Sequence, residues 1–342
     1  MSEIKFTMAA RCEAAGRSNN EDNFQLTDNL AGYQWSFLAN KERMLGEKGA
    51  LLVVCDGMGG MNAGEIASDI AVNTIKEWFA ADRLTPQVTA TPETIKQYIK
   101  NAIVAADNKI KEAGEQYNEQ KGMGSTIVLA WIIGENVHVG WCGDSRAYRF
   151  NPASGLERLS HDHSFVQELV DSGQLSEEFA FDHPDCNIIT RSLGDPRSEA
   201  QPDVISYPLY NDDIILLCSD GLSGVLRDSE MESIMNENAG TVDDCRKALW
   251  AASEKAGWTD NVTIALVQII SGGIAVSKIP DLPTEISVIT AKKKRKARGL
   301  IIAVIVLLLG IAFEVGYYTI KGKWWLPDFV DFDFLKIFST FN

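Results

Sequence analysis

LLVVCDGMGGMNAGEIASDIA, residues 51–71, sets an apolar run directly against a carboxylate. Leu51–Cys55 reads as a buried strand, because consecutive apolar residues leave no polar face. Asp56 ends the run and glycines follow at once. Helical spacing then begins: Asn62 and Glu65 stand as a capping-box-like start, and Ile66, Ile70 and Phe79 recur along it. The stretch is neither of the two common phosphate loops. GMGGMNAGE lacks the Lys-Ser/Thr of a P-loop and the spacing of a dinucleotide fingerprint. The acid at the strand end is what needs a reason.

The same context recurs along the chain. DIILLCSDGL (213–222) places Asp220 and Gly221 after an apolar run, and VHVGWCGDSRAY (137–148) places Asp144 after another. GWTDNVTIALV (257–267) puts Asp260 just before a run, and GRSNNEDNF (16–24) adds Glu21 and Asp22. Carboxylates brought together repel, and each buried charge carries a desolvation cost. A cation offsets both, and oxygen-only ligands suit Mg²⁺ or Mn²⁺. Two such ions about 4 Å apart can share one carboxylate, lower the pKa of a bridging water and clamp a phosphoryl group. Glycine after the acid lets a backbone carbonyl serve as well.

Around these acids the chain reads as one large layered domain. Strand-like runs fall at Leu51–Cys55, Ser125–Ile133, Val137–Trp141, Ala147–Phe150, Ile214–Cys218 and Val262–Ile270. Ile95, Ile99, Ile103 and Ile110 mark a second helix, with two more over 228–238 and 243–256. Helices and strands come in blocks, without regular βαβ alternation, so the expected class is α+β rather than a doubly wound sheet. The six cysteines, at 12, 55, 142, 186, 218 and 245, form no CxxC pair, which argues against zinc and dithiol chemistry. Cys55, Cys142 and Cys218 sit in apolar runs and read as small core residues of a reduced, cytosol-facing domain. Histidines 138, 161, 163 and 183 show no HExxH spacing.

Charge divides the chain. Residues 291–342 hold nine Lys/Arg and four Asp/Glu, while the rest hold 23 basic and 43 acidic groups, a net of −20. Such a body repels nucleic acid, so none is expected as a partner. The N-terminus has no continuous apolar core and is not a secretory signal. Residues 271–298 read as a linker ending in AKKKRKAR, followed by GLIIAVIVLLLGIAFEVGYYTI (299–320). Extended through Glu314, that run reaches the roughly 20 residues of a transmembrane helix. The preceding basic cluster puts the large domain in the cytoplasm, with membrane lipid as a partner. The aromatic-rich tail (321–342) then lies across the membrane, with Trp324 and Trp325 as interface anchors.

Eight stretches occur in order: GRSNNEDNF, VVCDGMGGMNAGEIAS, GMGSTIV, GWCGDSRAYRF, LSHDHSFVQELVDSG, HPDCNIITRSLG, LLCSDGLSG and WTDNVTIALV. Together they resemble the metal-dependent protein phosphatases, the protein phosphatase 2C-like serine/threonine phosphatases, and their bacterial members in particular. The resemblance covers residues 1 to about 270. It implies a four-layer α-β-β-α sandwich of two antiparallel sheets flanked by helices, here with a C-terminal transmembrane helix added. It implies that Asp56 bridges two Mn²⁺ or Mg²⁺ ions, that the Gly57 carbonyl binds the first, and that Asp220 and Asp260 hold the second. Asp144 with Asp220 matches a third-metal site. Glu21 and Asp22 would orient metal-bound waters, and Arg17 would bind the substrate phosphate, for which a planar guanidinium is suited. His163 to about Ile189 resembles the family's mobile flap.

The substrates implied are phosphoserine and phosphothreonine in proteins, the products of a Ser/Thr kinase. One departure concerns position 58. Some relatives carry a histidine after the metal-binding Asp-Gly, proposed as general acid; here it is Met58, which cannot donate a proton. A metal-bound water or another group must then supply the proton, or the leaving oxygen departs with metal assistance; His161 or His163 is the less favoured substitute. Two other readings compete: a catalytically silent phosphatase fold that docks a partner at the membrane, and an acidic Ca²⁺-binding domain. Loss of a metal ligand would mark the first, and none is lost; the second lacks an EF-hand loop.

Overall fold

The structure is a computed structural model and describes residues 3–275 apart from 33–34, 61–62 and 118–119. Its elements begin with β1 (Lys5–Glu13), β2 (Asn23–Thr27), β3 (Arg43–Met44), β4 (Ala50–Cys55), β5 (Gly57–Met58), α1 (Ala63–Trp78) and α2 (Pro92–Gln116). There follow β6 (Gly124–Ser125), β7 (Ile127–Ile133), β8 (Asn136–Cys142), β9 (Arg146–Asn151), β10 (Gly155–Arg158), α3 (Phe165–Asp171) and α4 (Glu177–Ala180). The last are β11 (Asp203–Pro208), β12 (Ile214–Cys218), α5 (Asp220–Ser223), α6 (Asp228–Asn238), α7 (Val242–Ala256) and β13 (Val262–Ser271).

Among the described residues, one sheet runs β10-β9-β12-β13-β1-β3 and a second β11-β8-β7-β4-β2, with antiparallel neighbours in both. Strand alternation explains the layers. In β4, Ala50, Leu52 and Val54 enter a core shared by the two sheets, while Leu51, Val53 and Cys55 face α1 and α2. In β12, Ile215 and Leu217 enter the shared core, while Ile214, Leu216 and Cys218 face α6 and α7. Three cores between four layers make the α-β-β-α sandwich, as expected. A strand buried on both faces needs no polar residues, hence the unbroken apolar runs.

The helices follow local signals with one difference. Thr91 and Thr94 close a capping box ahead of α2, and Ile95, Ile99, Ile103 and Ile110 are buried as expected. In α1 the deeply buried stripe is Ala67, Ala71 and Ile75, whereas Ile66 and Ile70 are only partly buried beside it. Small residues let the N-terminal turn approach the β4–β5 backbone, which bulkier ones would hold off. Asn62 of the expected capping box lies outside the described residues, as do the expected basic cluster, transmembrane helix and tail over 291–342. Among the described residues no helix is long and apolar enough to cross a membrane. β13 runs to Ser271, and Ile274 still bridges Tyr210.

Candidate active site

Antiparallel pairing decides which strand ends meet. β2 pairs antiparallel with β4, so the start of β2, after Glu21 and Asp22, lies beside the end of β4, where Asp56 follows. β7 is antiparallel to both β4 and β8, so the end of β8, before Asp144, comes to the same edge. In the other sheet the end of β12 meets the start of β13, which brings Asp220 to Asp260. The end of β1 also meets the start of β13 and leads into the loop carrying Arg17. The expected residues therefore gather at one edge of the sandwich.

Each is held by its neighbours. The Asp56 N–H donates to Thr126 Oγ1 (3.2 Å), and its carbonyl accepts from Thr126 N (2.8 Å) and Ser125 Oγ (2.9 Å). A Cβ at Gly57 would collide with the Gly64 carbonyl and sit 2.6 Å from the Glu21 carbonyl oxygen, so the close approach of α1 requires glycine there. Asp22 Oδ2 accepts from Ser219 Oγ (2.7 Å) and Thr263 Oγ1 (2.6 Å), joining the two sheets. Arg17 donates through Nη2 to Asp260 Oδ2 (2.7 Å) and through Nε to the Thr259 carbonyl (3.0 Å). Asn261, buried beside Asp260, donates to the Ala14 and Asn19 carbonyls and accepts from Glu21 N.

The acids perturb one another. Burial pushes the Asp22 carboxyl up to about 7, helped by Asp220 and Asp260 and opposed by its two hydroxyl donors. Burial, then Asp22, Asp220 and Asp144, drives Asp56 well above the carboxylate range. Asp144 rises for burial and for Asp220 and Asp162, and Asp220 for burial and Asp260. Glu21 is raised by burial, opposed by Arg17 and helped by Asp260 and Glu65. The Asp56 and Asp220 carboxyls act on each other directly, Asp220 raising Asp56 and Asp56 lowering Asp220.

This donor set fits hard divalent cations. Asp22, Asp144 and Asp220 each keep one buried carboxylate oxygen without a hydrogen-bond partner. Unpartnered buried oxygens of this kind are costly unless a cation meets them. Among the described residues, no three His, Cys, Asp or Glu side chains close on one point as a ready-made cage. One or two carboxylates per ion, with a carbonyl and water completing the shell, is the arrangement Mg²⁺-like ions prefer.

Two histidines weighed as proton donors are engaged elsewhere. His161 Nε2 lies 2.9 Å from Asp171 Oδ2. His163 is buried, with Nδ1 accepting from Gly143 N (3.2 Å) and Nε2 3.0 Å from Asp203 Oδ2. Met58 lines a cavity of about 720 Å³ shared with residues 122–124 and 189–201. A second cavity, about 360 Å³, runs from Asp144 and Asp220 to beneath α3 and α4. Thr126, Ser219, Thr263 and Asn261 join the site without a motif of their own. Their one signal is adjacency to an acid or to a motif.

A family model described as protein phosphatase 2C matches residues 43–263. The chain is 34% identical over 218 residues to the serine/threonine phosphatase stp of Listeria monocytogenes serovar 1/2a, covering 64% of this chain and 84% of that one. The S. agalactiae serine/threonine phosphatase structure aligns with a TM-score of 0.65 at 30% identity, over 78% of this chain and 100% of that one. The catalytic domain of the phosphatase PstP, solved with two manganese ions, aligns with a TM-score of 0.62 at 26% identity, over 78% and 100%. With the match running from β3 into β13, and so across both sheets, the chain belongs to the protein phosphatase 2C family and is a serine/threonine phosphatase.

Proposed function

We propose that this phosphatase is anchored to a membrane by residues 299–320 and removes phosphate from phosphoserine and phosphothreonine in proteins on the cytoplasmic face, in the setting of a bacterial inner membrane. Two Mn²⁺ or Mg²⁺ ions would be held by Asp56, the Gly57 carbonyl, Asp220 and Asp260, and a third by Asp144 and Asp220. The observation that carries the metal assignment is the set of unpartnered buried oxygens on Asp22, Asp144 and Asp220. When bound, the ions supply a nucleophile from water at neutral pH and positive charge beside the phosphoryl oxygens. The anchor rests on the apolar run and the basic cluster before it.

The chain's own groups do the rest. Arg17 is 57% exposed at the site's rim, where its guanidinium can exchange the Asp260 and Thr259 bonds for an incoming phosphoryl group. Asp22, fixed by two hydroxyls, and Glu21, fixed through its backbone by Asn261, orient water at the site. Met58 offers no proton and both nearby histidines are committed elsewhere, so the leaving serine or threonine oxygen takes its proton from water. The substrates are the phosphorylated products of a Ser/Thr kinase.

The test is phosphate release from a phosphothreonine peptide by the full chain in detergent, with Mn²⁺, with Mg²⁺ and with chelator. Asp56→Asn and Asp220→Asn run beside it. Divalent-dependent turnover lost in both variants is expected. A folded protein inert with every divalent ion would instead favour the silent docking module. Deleting 299–320 is expected to move the protein from the membrane to the soluble fraction.

A further inference from the structure

We infer that His163 is a positioning residue that locks the root of the 163–189 segment to the loop carrying Asp144. The inference rests on the phosphatase reading above for its substrate, and on geometry for the lock itself.

His163 is 4% exposed yet bonded through both ring nitrogens and both backbone groups. Nδ1 accepts the Gly143 N–H, so that nitrogen carries no proton, and Nε2–H points at Asp203 Oδ2. The His163 N–H donates to the Gly143 carbonyl (3.0 Å), and its carbonyl accepts from Thr190 N (2.8 Å). One residue thus holds the Asp144 loop, both roots of the segment and β11. The ring also stacks on Trp141, 6.2 Å between centroids at 22°.

The loop it grips has little freedom. Gly143 sits at φ +125°, where a Cβ would lie 2.6 Å from Thr126 Cβ. Thr126 in turn bonds Ser145 Oγ (2.7 Å) and the Asp56 N–H. The far root is tied as well: Phe165 N donates to the Ile188 carbonyl (2.8 Å), and Leu193 exchanges backbone hydrogen bonds with Ser125, whose Oγ reaches the Asp56 carbonyl. Between these roots α3 and α4 roof the cavity that opens onto Asp144 and Asp220, with Phe179 67% exposed on the roof. The roof is therefore set by its roots, and His163 is the side chain that sets them. A phosphoprotein must pass the roof, whereas a small aryl phosphate need not.

The two nitrogens are not equivalent. Asp203 also has Arg191 Nη1 at 3.5 Å, so it keeps a cation when the imidazole is lost. The Gly143 N–H has His163 Nδ1 as its acceptor. An Asn side chain places an oxygen near the Nδ1 position; a Gln reaches the Nε2 position and leaves Gly143 unmet.

The experiment uses the full chain as wild type, His163→Ala, His163→Asn and His163→Gln, each first shown to be folded by its thermal transition. His163→Ala is expected to raise KM for a phosphothreonine peptide about tenfold while kcat for p-nitrophenyl phosphate stays within about twofold. Cleavage after Glu177 and Glu178 by a glutamate-specific protease should quicken about tenfold. His163→Asn should recover most of both changes and His163→Gln little. Equal loss on both substrates, unchanged proteolysis, or better recovery by Gln than by Asn would each overturn the inference. If the wild type releases no phosphate the proposed function fails, but the proteolysis series still decides the lock.

Discussion

Asn261→Ala removes one buried amide that ties three points of the 14–21 loop to the start of β13. Its Nδ2 donates to the Ala14 carbonyl at 2.9 Å and the Asn19 carbonyl at 2.7 Å, and its Oδ1 accepts from Glu21 N at 2.8 Å. Those partners carry Arg17 and Glu21 between them, and Asp260 precedes the asparagine directly. Ala14, Asn19 and Glu21 are not fully buried, so water replaces part of what is lost, and each bond is worth about 1 kcal/mol. Three bonds give a destabilisation of about 3 kcal/mol, or roughly 6–12 °C in Tm for a domain of this size. Asn261→Asp is the sharper variant. It keeps the acceptor for Glu21 N but turns an oxygen toward two carbonyl oxygens, so it should be less stable than the alanine variant by about 1 kcal/mol or more. Acidification should narrow that gap, because a protonated acid donates once. Thermal and urea unfolding of the full chain at saturating Mn²⁺ measure both, with phosphate release followed in parallel. Activity should fall at least about tenfold in each, as Arg17 and Asp260 lose their placement. An aspartate variant as stable as wild type, or an alanine variant within about 0.5 kcal/mol of it, would refute the reasoning.

The site carboxyls are raised, so the metal-free fold binds protons that the unfolded chain releases. Its stability should fall as pH rises from about 4 through 7. Mn²⁺ should accordingly raise Tm more at pH 8 than at pH 6; an equal or smaller gain at pH 8 counts against a shared site. His138, bonded to Ser206 Oγ at 2.7 Å, is pushed down to about 4 by burial and Lys96. It contributes stability that is present above 6.5 and lost as pH falls to 4, about 3 kcal/mol in all, and His138→Gln should remove that slope in metal-saturated protein. Gly221→Ala drives a Cβ into the Asn261 carbonyl and should cost about 3 kcal/mol or more. Gly134→Ala, at φ +60° with open space around it, should cost only about 1 kcal/mol. Comparable unfolding midpoints for the two glycine variants would show that the collision relaxes.

What could be read from the sequence depended on how many faces of a strand are covered. β4, β7 and β12 are buried on both faces, and unbroken apolar runs mark them; β13 is marked by a longer run interrupted only by Thr263 and Gln268 before its terminal Ser271. β2 and β11 close the edges of one sheet and β3 and β10 those of the other; β3, β10 and β11 carry no run and no clean alternation, and β2 alternates over only five residues. β1 is interior but ends in Arg11-Cys12-Glu13. The Arg11 guanidinium is covered by Trp250 at 3.8 Å, a partner 239 residues away that no local pattern can reveal. The acids stood out because one context recurred five times. Asn261, Thr126, Ser219 and Thr263 did not, because a neutral donor or acceptor beside a motif looks like any loop or strand polar residue until its partner is placed.

The acids also encoded more than their own positions. Asp56, Asp144 and Asp220 follow their strands, whereas Asp22 and Asp260 precede theirs. If all five must meet at one cation cluster, the strands of the first group must point toward it and those of the second away. β4, β8 and β12 therefore run one way, and β2 and β13 the other. That is the polarity found: β2 opposes β4, β13 opposes β12, and β7 between β4 and β8 opposes both. The demand for shared neutralisation thus fixes strand direction across two sheets whose own pairings never touch. An acid's side of its strand can then test other layered folds built around a cation, since an acid on the wrong side would require a parallel neighbour or a longer reach. Here none is needed. Asp22 accepts from Ser219, which follows β12, and from Thr263 within β13, closing the gap between the sheets with two hydroxyls. Substituting both hydroxyls should therefore loosen the metal site without touching a metal-binding carboxylate.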